Sequence, residues 1–124
     1  MKKSVYIALG VLGVSLALLI GVGTAMAQDF AKISPQDVKV LLENDRVRVL
    51  EVRHQPGVKE AMHSHPAYIS YYLDATKVKV TTPDGKTVEK ERKAGDVQFN
   101  EPVTHALENV GTNEQHVLVI ELKK

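Results

Sequence analysis

The chain has 124 residues, room for one domain, with a formal net charge of +1 at pH 7 and no cysteine. That excludes a disulfide-held scaffold, and the lack of a basic cluster gives no reason to expect a nucleic-acid partner. Met1-Lys2-Lys3 form a basic start, Val5 to Val22 carries no charge and is almost wholly apolar or glycine, and Ala25-Met26-Ala27 follows. This is the pattern of a secretory signal peptide over residues 1–27, so the protein is expected to be exported, to a periplasm in a Gram-negative host. The alternative is an uncleaved membrane anchor, because the apolar run approaches the ~20 residues that span a bilayer. Cleavage leaves Gln28 to Lys124, 97 residues with 14 basic and 15 acidic side chains and a net charge of −1. A domain this small buries a moderate share of its surface, which favours a homodimer.

Residues 28–37 are polar with a Ser34-Pro35 break and read as a lead-in; the domain proper is expected over 38–124. Val38 to Leu42 is apolar and β-branched, and Glu43-Asn44-Asp45 is a turn. Arg46 to His54 alternates, with a slip of phase at Val49-Leu50 that suits a bulge. Pro56-Gly57 ends that strand, and Tyr68 to Leu73 is the next clear one. Lys77 to Thr82 and Thr87 to Arg92 flank Pro83-Asp84-Gly85, a tight hairpin turn. Glu89 to Lys93 reads as a solvated strand face. Val97 to Phe99, His105 to Val110 and His116 to Leu122 complete the set. Short strands with turns about every ten residues and no helical period predict an all-β sandwich or barrel.

Without cysteine, a transition-metal site must use imidazole and carboxylate. The histidines are His54, His63, His65, His105 and His116. His63 and His65 are two apart, so on a strand both rings point to one face. His54 alternates with Leu50 and Val52, and His116 with Leu118 and Ile120; both read as structural before they read as ligands.

The run Gly57 to His65 fits G-x5-H-x-H, and Gly95, Pro102, His105 and Asn109 follow downstream. These two patterns, in this order and separated by a Pro-Asp-Gly hairpin, resemble the two sequence motifs of the cupin superfamily. The resemblance covers Val38 to the C terminus. It implies a small jelly-roll-related β-barrel in which His63, His65 and His105 converge on one divalent metal ion, with dimerisation common among small members. The chain also departs from the family pattern. The motif glutamate would fall at Ile69 or Ser70, neither a carboxylate, and Val103 and Thr104 stand where a glycine is expected. What the resemblance then implies is an open three-histidine site similar to that of thiol-dioxygenase cupins. Glu101 and Glu108, close in sequence to His105, are candidates to orient a ligating ring, and Glu101 to replace the missing carboxylate. The metal is Zn, Fe, Cu, Ni or Mn, which the residues do not distinguish. Two functions follow: a metal-binding cupin of unassigned specificity that also takes a small-molecule ligand, or a metal-dependent enzyme of dioxygenase or isomerase type, with Tyr68, Tyr71 or Tyr72 as proton or hydrogen-bond donors. A third is a barrel that has lost its metal. Because only the neutral ring ligates, metal binding by free imidazoles would weaken as pH falls through ~6.5.

Overall fold

The structure is a computed structural model that describes Asp29–Lys124; the expected signal peptide lies outside the described residues. One short helix, α1 (Phe30–Ile33), precedes nine strands: β1 (Val38–Glu43), β2 (Val47–His54), β3 (Lys59–His65), β4 (Tyr68–Tyr72), β5 (Thr76–Thr81), β6 (Thr87–Arg92), β7 (Val97–Asn100), β8 (Val103–Asn109) and β9 (Gln115–Leu122). They form two antiparallel sheets, β1-β2-β9-β4-β7 and β3-β8-β5-β6. The expected all-β fold is what the chain adopts.

Local chemistry sets the turns. Asn44 caps the β1–β2 turn by accepting from the backbone N–H groups of Arg46 and Val47 at 2.8 and 2.9 Å. In the β5–β6 hairpin Gly85 takes φ +85°, a conformation that strains any residue with a Cβ. The expected bulge exists, but on the neighbouring strand. β2 runs in unbroken register along β9 from Val47 to His54, whereas Val40 pairs with Leu50 and Leu42 with Val49, so the extra residue is Leu41 of β1. The alternation of β2 is therefore intact over its inward residues, Leu50, Val52 and His54.

The apolar core is Phe30, Val38, Leu50, Val52, Tyr68, Val117 and Val119, nearly all on the five-stranded sheet. Apart from Val78 of β5, much of the remaining interior is polar, with His63, His65, His105, Asn109 and Glu60 buried on β3 and β8. Buried polar groups are costly unless partnered, so this concentration marks the candidate functional site. Within the lead-in segment Asp29 caps α1, accepting from Ala31 N–H at 2.9 Å, and Phe30, 2% exposed, packs into the core. The periodicity of residues 28–37 gives no sign of this, because Phe30 is a single aromatic residue in a polar stretch.

Candidate metal centre

His63 of β3 pairs directly with His105 of β8, so their side chains are nearest cross-strand neighbours on one face. His65, two residues along β3, shares that face. One ring nitrogen from each of the three lies within 4.8 Å of the others, and all three residues are buried. Nitrogens sharing one tetrahedral ion sit roughly 3.4 Å apart, so a small inward movement of the rings would seat a cation.

The hydrogen bonds select which nitrogen is free. His63 donates from Nδ1 to the carbonyl of Ala61 at 2.7 Å, which leaves the Nε2 lone pair. His65 donates from Nδ1 to Glu121 Oε2, also at 2.7 Å. Burial, and to a smaller extent the charge of His65, pushes His63 down to about 4. Burial and the neighbouring His63 and His65 push His105 down to about 3. Both rings are therefore neutral at neutral pH, the form that ligates. Nε2 of His63 and of His105 is buried with no hydrogen-bond partner. Each orphan costs on the order of 1–3 kcal/mol, and a shared cation would remove both penalties. The donor set thus fits a divalent transition metal.

Phe30 packs over this group, its ring stacked on His63 with centroids 4.3 Å apart and edge-on to His65 at 5.1 Å. Glu121 of β9 takes the role expected of Glu101 or Glu108. Its other oxygen accepts from Arg48 Nε at 2.7 Å, and Arg48 also grips Asp29 at 2.9 Å. Burial alone would raise the Glu121 carboxyl, but the hydrogen bonds from His65 and Arg48 outweigh it and hold it below the usual carboxylate range. Glu101 is exposed and stands apart from the histidine group, and Glu108 pairs with Lys79 at 3.4 Å. Neither orients a ring, because β8 alternation and the loop before it carry both away from the cluster.

Glu60, 4% exposed, is the site residue that spacing missed. It lies three residues before His63, an odd offset that predicts the opposite face. A break of register in β3, between the Glu60–Leu107 and His63–His105 pairs, inserts one residue and turns both inward. Glu60 Oε2 ends 3.4 Å from His63 Nε2, and its Oε1 3.0 Å from His54 Nδ1. Burial, reinforced by the charge of Asp37, pushes its carboxyl up to about 8. With His65, His105, Tyr68 and Gln115 it lines a small pocket of about 50 Å³, large enough for a few waters.

The remaining histidines lie outside the three-histidine group. His54 reaches it through Glu60; its Nδ1 is 3.2 Å from Gln115 Oε1, and its Nε2 is also buried without a hydrogen-bond partner. His116 faces the other side of β9 and meets Glu51 Oε2 at 2.8 Å. Asn109 donates from Nδ2 to the carbonyls of His54 and Asn113, both at 3.0 Å, and ties the β8–β9 loop to β2.

Solved structures with this architecture include cupin-domain proteins. A cupin domain from Bordetella pertussis Tohama I superposes with a TM-score of 0.65 at 28% identity, over 70% of this chain and 92% of that one. An RmlC-like cupin with a double-stranded β-helix fold from Methanocaldococcus jannaschii gives 0.56 at 15% identity, over 69% and 78%. An oxalate decarboxylase gives 0.53 at 23% identity, over 70% of this chain and 26% of that one. No protein-family model matches the sequence, and no curated protein matches it. The described residues share the fold of these cupin-domain proteins.

Proposed function

We propose that the protein binds one divalent transition metal through Nε2 of His63, His65 and His105 and presents it to a small-molecule ligand in the barrel. The observation that carries this is the pair of buried, unpartnered Nε2 atoms on His63 and His105, facing each other across two paired strands. Three protein ligands leave a coordination position open to a ligand or water. Elemental mass spectrometry of the protein, purified without a histidine tag, is expected to find about one equivalent of metal per chain. His63→Ala and His65→Ala should lose it and His54→Ala should keep it. Equal loss in all three, or no uptake after reconstitution with Zn, Fe, Cu, Ni and Mn in turn, would refute the assignment.

Glu60 favours a second reading, a metal-dependent enzyme of dioxygenase or isomerase type. It is the protonatable group beside the cluster that such chemistry needs, and it lines the small pocket beside it. The likeness to oxalate decarboxylase supports the fold and not that activity.

Two further expectations belong to the same proposal. The edge strand β1 leaves Val40, Leu41 and Leu42 between 44% and 49% exposed, an apolar row that a second copy would cover. A solution mass of two chains checks it. Export with cleavage after Ala27 would give a mature N terminus at Gln28, read by N-terminal sequencing of protein from its host's outer compartment.

A further inference from the structure

Strand pairing sorts the charged run Glu89–Lys93 onto two faces. Directly paired residues of an antiparallel ladder share a face. Arg92 pairs with Thr76 and Lys90 with Val78, and both partners are buried. Lys90 and Arg92 therefore project toward the interior side of the sheet, and Glu89 and Glu91 away from it. Of this run only Arg92 is half-buried; Glu89, Lys90, Glu91 and Lys93 are exposed, as a solvated face requires, and Lys90 reaches the interior side from the rim. Across the gap, β7 pairs Gln98 with the buried Ser70 and Asn100 with the buried Tyr68, which turns both amides inward. The two strands border an open cavity of about 370 Å³ whose wall includes Lys90, Arg92, Gln98, Asn100 and His105. That volume lies in the range of small-molecule sites.

Arg92 is held ready. Its Nε and Nη2 donate to Gln98 Oε1 at 2.8 and 2.6 Å, and Nη1 donates to the Glu91 carbonyl at 2.7 Å. A guanidinium has five N–H donors, so donors remain. Among the described residues no carboxylate forms an ion pair with Arg92 or Lys90, although Lys77, Lys79, Lys86 and Lys123 each have one. Glu101 also borders the cavity but pairs with neither cation, so two positive charges face one negative charge.

We propose that this cavity binds a small organic anion whose carboxylate is taken by Arg92 and Lys90 while its other end lies against His105. This rests on the proposed metal function, because His105 is the ligand through which the cavity reaches the metal. An arginine fork matches a carboxylate in two hydrogen bonds, and a side chain already fixed by Gln98 gives up less rotamer entropy on binding. A neutral ligand would leave both cations unmatched.

Titration calorimetry with acetate and malonate, and with malonamide as the uncharged control, tests the proposal on metal-loaded and metal-free protein. Both anions are expected to bind and malonamide not to. Arg92→Gln should weaken malonate at least about tenfold, and Arg92→Lys should weaken it less, with metal content unchanged in both. Malonate binding equal to wild type in both Arg92→Gln and Lys90→Gln overturns the proposal, as does absence of anion binding at millimolar concentration; in either case the metal assignment stands if one equivalent of metal is present. If the wild type takes up no metal, the metal reading fails by itself. The anion site is then judged on metal-free protein, where loss of malonate in Arg92→Gln supports it and unchanged binding overturns it.

Discussion

Replacing Glu121 tests whether a carboxylate outside the histidine cluster controls it. Its Oε2 lies 2.7 Å from His65 Nδ1, and its Oε1 accepts from Arg48 Nε at 2.7 Å. Glu121→Ala removes the group that fixes the tautomer and tilt of His65. Loss of such a partner lowers metal affinity by about 10- to 100-fold, or about 1.4–2.7 kcal/mol. Glu121→Gln keeps the shape and can still accept from Nδ1 but loses the charge, so it should fall near the tenfold end. Stability follows a second route. Removing one partner of a buried ion pair costs about 3–5 kcal/mol, and because Arg48 keeps Asp29 the low end, about 3 kcal/mol, is expected. Zinc affinity at neutral pH, by competition with a chromophoric chelator, and urea unfolding of the metal-free protein read the two effects separately. A folded Glu121→Ala protein that binds zinc within about twofold of wild type would refute the reasoning, since a free His65 ring should pay an orientation cost.

Phe30→Ala should destabilise the protein by about 3–5 kcal/mol in urea unfolding, the cost of emptying a fully buried aromatic site; a change within about 0.5 kcal/mol, usual for surface positions, would place α1 off the core. Histidine ring titrations by NMR on metal-free protein should give values of about 4 for His63 and about 3 for His105, so acid release of metal through these rings falls well below the ~6.5 of free imidazole; a value near 6.5 for either would show it to be solvated. Their folded values lie below the unfolded one, so the unfolded chain takes up the extra protons and the stability they support is lost as pH falls from ~6.5 toward about 4 for His63 and about 3 for His105. Glu60 acts in the opposite direction: its folded value of about 8 lies above the unfolded one, so the folded state holds the extra proton and stability falls as pH rises toward 8. Between pH ~6.5 and ~8 this amounts to about 2 kcal/mol, and Glu60→Gln should flatten it in melts of metal-free protein; an unchanged slope would exclude Glu60 as the source.

Much of the protein is decided by short-range pattern. Alternation and turn residues determine most strands, because a strand's side-chain period of two and the backbone demands of Asn44 and Gly85 are local properties. The H-x-H spacing likewise determines that His63 and His65 share a face. The partners of those rings are a different matter. That His63 meets His105 depends on β3 pairing with β8 in one register among several, and that Glu60 joins them depends on an extra residue in that ladder. Glu121 stands within a run of apolar residues on β9 and reads as an exposed charge, until packing puts Gln115, Val117, Val119 and Glu121 inside and His116, Leu118 and Ile120 on the other face. Lys90 and Arg92 belong to a charged run whose two faces separate only once β6 lies along β5. Sequence alone determined the strands, the turns and the histidine pair because neighbouring residues carry that information. Which carboxylates and cations surround the histidines was decided by the tertiary structure, because a one-residue shift of register moves a side chain from one face of a sheet to the other.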